Sequence, residues 1–251
     1  IALGDTLAAR APHLLERVAW LNQLPPDFTG VVIGNEVLDA MPAHVFQREG
    51  GNVREMGVSL KDGKFGWSPQ PSGTAPAGID PSCFPQDGYR SEVQFIARAF
   101  IRSLGGTLAR GVALFFDYGF PRREYYHPQR TGGALMCHYR HRAHDDPFFL
   151  PGLQDITTHL DFSAIAEAGG EAGLEVLGYT NQAQFLVNCG ITDVLAETPA
   201  DDVAAYAPLA AQAQKLLSPA EMGELFKVIA LGRGVPGTLA GFASGDKRNS
   251  L

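Results

Sequence analysis

The sequence predicts an α/β protein: a parallel sheet, an antiparallel β-rich insertion beside it, and helices toward the C-terminus. Three observations carry that expectation. Residues 31–33 and 112–116 are short apolar runs of the kind that form buried strands, and each is followed at once by a loop bearing acids. A stretch patterned as a helix, 91–104, lies between them, as a parallel crossover requires. Residues 43–69 switch to alternating apolar positions with two hairpin signals, Gly50-Gly51-Asn52 and Asp62-Gly63.

In chain order, 5–17 reads as a helix. Asp5 or Thr6 would cap it, Leu7, Leu14 and Leu15 form its apolar face, and Pro12 is where it would split. Residues 18–20 are expected as a short strand, followed by a turn-rich loop and then the strand ending at Gly34. Pro42 stops any helix begun after it. Three antiparallel strands are expected over 43–69, within an insertion spanning 43–90 whose stretch 69–88 is loop, dense in Pro, Gly and Ser. Ser91 is the expected cap of a helix reaching Leu104. Val93, Ile96, Ala97, Phe100 and Ile101 share its apolar face, and Gly105-Gly106 ends it. Residues 121–160 are rich in His, Arg and Tyr and poor in periodicity, and read as a long substrate-site loop. A helix over 162–172, capped by Asp161 or Ser163, precedes a strand at 174–179, a helical segment over 181–225 and a last strand at 226–231. Residues 1–251 read as one domain without internal repeats.

The chain has 251 residues, 45% of them hydrophobic and 19% charged, enough for one well-packed domain. A net charge of -7 argues against a nucleic-acid partner. No apolar run approaches the roughly 18 residues of a membrane span. No signal peptide is visible at the start of the sequence. Three scattered cysteines, Cys83, Cys137 and Cys189, read as thiols in a reducing compartment, which points to a cytoplasmic protein.

The acids carry the chemistry. Asn35, Glu36 and Asp39 follow the first strand and Asp117-Tyr118-Gly119 the second, and in open α/β sheets ligands sit outside such strand ends. A capped turn accounts for an Asn and an Asp, but not for a second carboxylate. Glu36, Asp39 and Asp117 are therefore the catalytic candidates, suited to holding a cation or deprotonating an amine-like nucleophile. Trp20 and Leu21, just past a strand, read as a wall for an adenine ring or equally as core. His138, His141 and His144 stand three apart, with His127 and His159 nearby. On a helix the three would share a face and suggest a metal. No CxxC or HExxH accompanies them and Arg140 and Arg142 interleave, so no metal is expected. His138, Tyr139 and His141, with Tyr118, are instead expected to contact substrate. No GxSxG elbow or GxxxxGK[ST] loop is present, and Gly232-Arg233-Gly234 reads as a turn.

GNEVLDAMP at 34–42, YRSE at 89–92, FFDYGFPRREYYHPQR at 115–130, GGALMCHYRHRAHDDP at 132–147 and PGLQDITTHLDF at 151–162 together resemble the MidA family. Its members are class I S-adenosylmethionine-dependent methyltransferases, related to a mitochondrial complex I assembly factor that methylates an arginine of a complex I subunit. The resemblance implies a Rossmann-like methyltransferase sheet with residues 18–20, 31–33 and 112–116 as its third, fourth and fifth strands. It implies S-adenosyl-L-methionine as cofactor, with Asn35, Trp20 and Leu21 on the donor side and Glu36 and Asp39 toward a substrate guanidinium. It further implies a protein substrate, by analogy a complex I subunit, in the cytoplasm or, in a eukaryote, the mitochondrial matrix; a homodimer is compatible with it. The family's glycine-rich GxGxG donor loop and the acid after the second strand have no counterpart here. The sheet is thus expected to be incomplete at its N-terminal side, with residues upstream of Ile1 and this piece alone inactive. Gly133-Ala134-Leu135 stands where the family usually has Gly-Thr-Leu. The competing reading is a non-catalytic assembly module that binds a protein partner.

Overall fold

The computed structural model describes residues 2–71, 78–140 and 142–251. Helix α1 (Ala2–Arg10) and a 3-10 turn (Pro12–Arg17) precede strand β1 (Phe28–Asn35). Strands β2 (His44–Glu49), β3 (Asn52–Lys61), β4 (Lys64–Pro69) and β5 (Arg90–Val93) follow, then α2 (Phe95–Thr107) and the long strand β6 (Leu108–Phe120). After α3 (Arg122–Tyr125) come β7 (Leu135–Tyr139), β8 (Arg142–His144), β9 (Asp155–Thr158) and β10 (Leu160–Asp161). The remainder is α4 (Phe162–Glu171), β11 (Glu175–Asn181), α5 (Gln182–Asn188), α6 (Ile191–Ala196), α7 (Val203–Leu217), α8 (Met222–Leu225) and β12 (Phe226–Arg233).

The main sheet runs β1-β6-β12-β11, with β10 beside the far end of β6. β1 lies parallel to β6, so Asn35 stands opposite Phe116. β12 is antiparallel to both β6 and β11 and places Lys227 opposite Asp117. Apolar side chains leave β6 on both faces. Ala113 and Phe115 meet Ala97, Ile101 and Leu104 of α2 and Ile165 and Ala168 of α4. Val112 meets Val228, Ala230 and Phe242, with Phe185 of α5 packed against them. Both faces covered is the arrangement an α/β sheet needs. Gly111 has a left-handed φ of +141°, and a Cβ there would lie 1.9 Å from the Gly30 carbonyl oxygen, so β1 and β6 meet through two glycines. Two smaller antiparallel sheets lie beside this one, β4-β3-β2-β5 and β8-β7-β9.

The expected α/β architecture holds, with local corrections. Residues 18–20 form no strand; three residues without a neighbour to pair with cannot sustain one. Pro12 does split the first helix. The strand at 31–33 is not buried on both faces: it is the outer strand of the described sheet, with Val31 59% and Ile33 69% exposed. Ser91 caps nothing, because 90–93 is a fourth strand of the inserted sheet, paired with β2, and the helix starts after it. Gly105 lies inside α2, where the helix comes so close to α4's end that a Cβ would meet that of Ala172 at 2.5 Å. The stretch 121–160 is not a structureless loop but holds α3 and a three-stranded sheet. Asp161 caps α4 as expected, its carboxylate accepting the Ala164 N–H at 3.2 Å. The helical segment begins one residue later than expected and is broken into α5 to α8.

Candidate active site

At the end of β1 the Glu36 N–H still donates to the Phe116 carbonyl at 2.9 Å, prolonging the parallel ladder by one bond. Glu36 then adopts a left-handed φ of +51°, which turns the chain out of the sheet. Residues 37–40 fold across the tip of β6, where Asp117 receives them. One Asp117 oxygen, Oδ2, accepts the N–H of Leu38 at 3.0 Å and of Asp39 at 3.3 Å. The other accepts its neighbour Tyr118's N–H at 3.0 Å. Leu38, drawn inward, joins the main core. Asp117 is 0% and Asp39 3% exposed. The Asp39 carbonyl is tied in turn by the Thr158 N–H at 3.2 Å, which joins the turn to β9.

This clamp leaves the Asp39 Oδ1 atom buried and without a hydrogen-bond partner among the described residues. Burial pushes the Asp39 carboxyl up to about 6, helped by the negative charges of Glu36 and Asp155. Burial and the charge of Asp39 push Asp117 up to about 7. The Tyr118 phenol rises to about 12, through burial and the three acids. Its ring stacks on His159 at 5.9 Å between centroids. Burial, Arg130 and Lys227 together hold that imidazole near 4, hence neutral at physiological pH. Lys227 is engaged with Glu224. The strand ends thus carry a buried carboxyl whose Oδ1 has no partner among the described residues, with Glu36 exposed beside it. Such a group can hold a cation or accept a proton.

The structure brings Asn35, Glu36, Asp39, Asp117 and Tyr118 to one sheet end, as the residue pattern suggested. Asn35 and Glu36 are linked directly, Nδ2 donating to Oε1 at 3.3 Å. His138 and Tyr139 lie on β7, a strand rather than a helix, so the threefold histidine spacing does not gather on one face. His138 is exposed and stands opposite Asp155, which adds to the field on Asp39. Tyr139 packs edge-on to Phe149 at 5.9 Å. His141 lies outside the described residues, and among the described residues no cluster of metal-ligating side chains occurs. Trp20 and Leu21 are each 65% exposed in this chain and belong to neither strand nor helix. Thr158 and Asp155 carry no sequence signal and no spacing rule singles them out, while His159 stood out only as a histidine near the others in sequence. Lys227 was missed too, and only pairing β12 with β6 reveals it.

The acids and the orphaned oxygen fit a cationic group, which describes both a sulfonium methyl donor and a guanidinium. A family model of S-adenosyl-L-methionine-dependent methyltransferases matches residues 3–180. The chain is 27% identical over 212 residues to the mitochondrial protein arginine methyltransferase NDUFAF7 of Danio rerio, covering 82% of this chain and 48% of the relative. It is 30% identical over 179 residues to the mitochondrial protein arginine methyltransferase NDUFAF7 homolog of Caenorhabditis elegans, covering 68% of this chain and 39% of that one. The chain thus spans less than half the length of these curated relatives. A crystal structure from Burkholderia thailandensis, of a protein bound to S-adenosyl-homocysteine, superposes with a TM-score of 0.91 at 54% identity, covering 98% of this chain and 64% of that one. A native crystal structure from the same organism gives the same score and identity, covering 99% and 67%. With the family model matched over more than half its length, and acids grouped where the sheet's strands end, the chain belongs to the S-adenosyl-L-methionine-dependent methyltransferases.

Proposed function

We propose that the intact protein transfers a methyl group to a nitrogen of a protein side chain, an arginine. The donor supplies an electrophilic methyl on a sulfonium. Asp39 and Glu36 hold and orient the guanidinium, whose five donors match carboxylates. Asp39, poised near neutrality, accepts the proton that the nitrogen sheds. Asp117 acts through the backbone, fixing the turn that carries Asp39. Asn35 faces the donor side of the same strand end. Exposed Trp20 and Leu21 would serve the donor only in the intact protein. His138 and Tyr139 are the substrate contacts offered by β7, with His141 beside them in sequence. The observation that carries this reading is the buried, unpartnered Asp39 oxygen at the end of β1. The arginine as target is supported by the names of the two relatives, each a protein arginine methyltransferase; a complex I subunit as target rests on the family resemblance alone. Three free thiols suit a reducing compartment.

The test compares donor-product affinity with methyl transfer in the intact protein. In Asp39→Asn and Glu36→Gln, transfer to an arginine-bearing protein substrate is expected to fall by about 100-fold, while S-adenosyl-homocysteine binding by calorimetry changes less than about threefold. Equal losses in both would place these residues in the donor pocket. No binding of S-adenosyl-homocysteine by the wild-type protein would leave a non-catalytic assembly module.

A further inference from the structure

We propose that a cavity between the inserted sheet and the 130–147 segment is a subsite for a carboxylate side chain of the protein substrate, held by Arg90 and Arg130. This rests on the protein-directed reading above. The cavity measures about 250 Å³, the size of a side chain rather than of a cofactor. Trp67 and Arg90 of the inserted sheet wall one side, and Arg130, Met136 and His159 the other.

Two half-buried guanidiniums define its chemistry. The Arg90 guanidinium carbon lies 5.5 Å from the centre of the Trp67 ring, and that of Arg130 lies 4.0 Å over Phe120. Each guanidinium is held by its aromatic neighbour through a cation–π contact, which leaves its N–H groups available. Among the described residues neither guanidinium has an ion-pair partner, whereas Arg48, Arg102, Arg122 and Arg248 each do. His159 adds a buried Nδ1 without a hydrogen-bond partner. Two acids also face the cavity. Glu92 is buried with its Oε2 engaged by the Ala134 N–H at 2.7 Å; burial raises its pKa, against the backbone hydrogen bonds and the Arg90 charge that lower it. Asp145 is exposed at the rim. The pinned guanidiniums therefore dominate the interior and call for a bidentate oxyanion.

Its place in the fold says whose oxyanion. Trp67, Leu135 and Pro147 are shared with a wider apolar groove of about 470 Å³ along Val58, Phe65 and Phe148, a path suited to a polypeptide. On the other side, the His159 ring stacks on Tyr118, the residue after Asp117. One ring thus separates the cavity from the strand-end acids. A substrate residue bearing the carboxylate would lie a few positions from the methylated arginine.

The test follows the Trp67 indole N–H by NMR in the intact protein, assigned through Trp67→Phe. The probes are N-acetylglutamate amide, N-acetylglutamine amide and inorganic phosphate. A saturable shift with the glutamate compound is expected, with Kd on the order of 1–10 mM, and none with the glutamine compound. Arg130→Met and Arg90→Met, each checked for a wild-type thermal transition, are expected to weaken it at least tenfold. If one variant does not fold, the other and the comparison of the two amides decide the matter. No shift, equal shifts for both amides, tighter binding of phosphate, or unchanged affinity in both variants overturns the proposal. S-adenosyl-homocysteine binding is measured on the same samples. Its retention without carboxylate binding sinks the subsite alone, and its absence sinks the methyltransferase reading.

Discussion

Replacing Asp117 with alanine tests the clamp directly. The side chain is fully buried and accepts three backbone N–H groups, from Leu38, Asp39 and Tyr118. A buried donor left unsatisfied costs about 1–3 kcal/mol, so three set an upper range of about 3–9 kcal/mol. Against this stands the cost of keeping the carboxyl itself. Its folded value of about 7 lies above the ordinary 3.8, so the folded state binds the proton more tightly than the unfolded chain. Stability from this group is therefore greatest at low pH and falls as pH rises through 7. Between pH 5 and pH 8 the wild-type protein should lose about 3 kcal/mol through Asp117 alone, a loss the variant does not share. Asp117→Ala is thus expected to be destabilised by about 4 kcal/mol at pH 5, with the gap closing to about 1 kcal/mol at pH 8. Urea unfolding of the intact protein at both pH values reads the difference. A gap that stays constant or widens with pH would refute the reasoning, because Asp117 would then be an ordinary ionised acid held down by its three donors.

Three further outcomes follow from packing. Gly111→Ala drives a methyl into the Gly30 carbonyl and should cost about 3 kcal/mol or more, read as a lowered thermal midpoint, whereas Gly132→Ala, with open space around it, should move that midpoint little. Arg122 joins Glu167 through two bonds of 2.6 Å and buried Asp161 at 3.1 Å, so Arg122→Met should cost about 2–4 kcal/mol. Arg102→Met, which breaks only the exposed pair with Glu171, should stay within about 0.5 kcal/mol in the same denaturation assay. Among the described residues the buried Tyr179 hydroxyl has no partner, so Tyr179→Phe should leave stability unchanged or raise it by about 1 kcal/mol; a clear loss would reveal an unseen acceptor.

The acids at neighbouring strand ends were legible because the apolar runs before them are unmistakable, and a parallel pair must deliver both tips to one edge. The inserted hairpins were legible from Gly50-Gly51-Asn52 and Asp62-Gly63, both of which sit at turns with left-handed glycines. Strand β5 was hidden because Val93 fits the apolar period of the helix that follows. Only pairing with β2 shows that Ser91 and Glu92 are buried strand residues. The β7 to β9 sheet was hidden by its composition: His138, Arg142 and Asp155 break any alternation, and the pairing of β7 with β9, unlike its local pairing with β8, joins residues far apart in the chain and leaves no local mark. Within the site, the sequence names Glu36, Asp39 and Asp117 alike as catalytic candidates; that the Asp117 carboxylate accepts three backbone N–H groups is something no residue pattern announces.

The acids span the ends of two neighbouring strands. Asp117 sits on β6, bonded along its length by β1 and β12 and at its tip by β10. Glu36 and Asp39 sit just beyond β1, which has a neighbour on one side only among the described residues. Amide hydrogen exchange should accordingly be slow at the Leu38 and Asp39 amides, which the buried Asp117 carboxylate holds. The two strand ends are thus tied to each other through one side chain, so a shift of the turn after β1 is felt at the tip of β6.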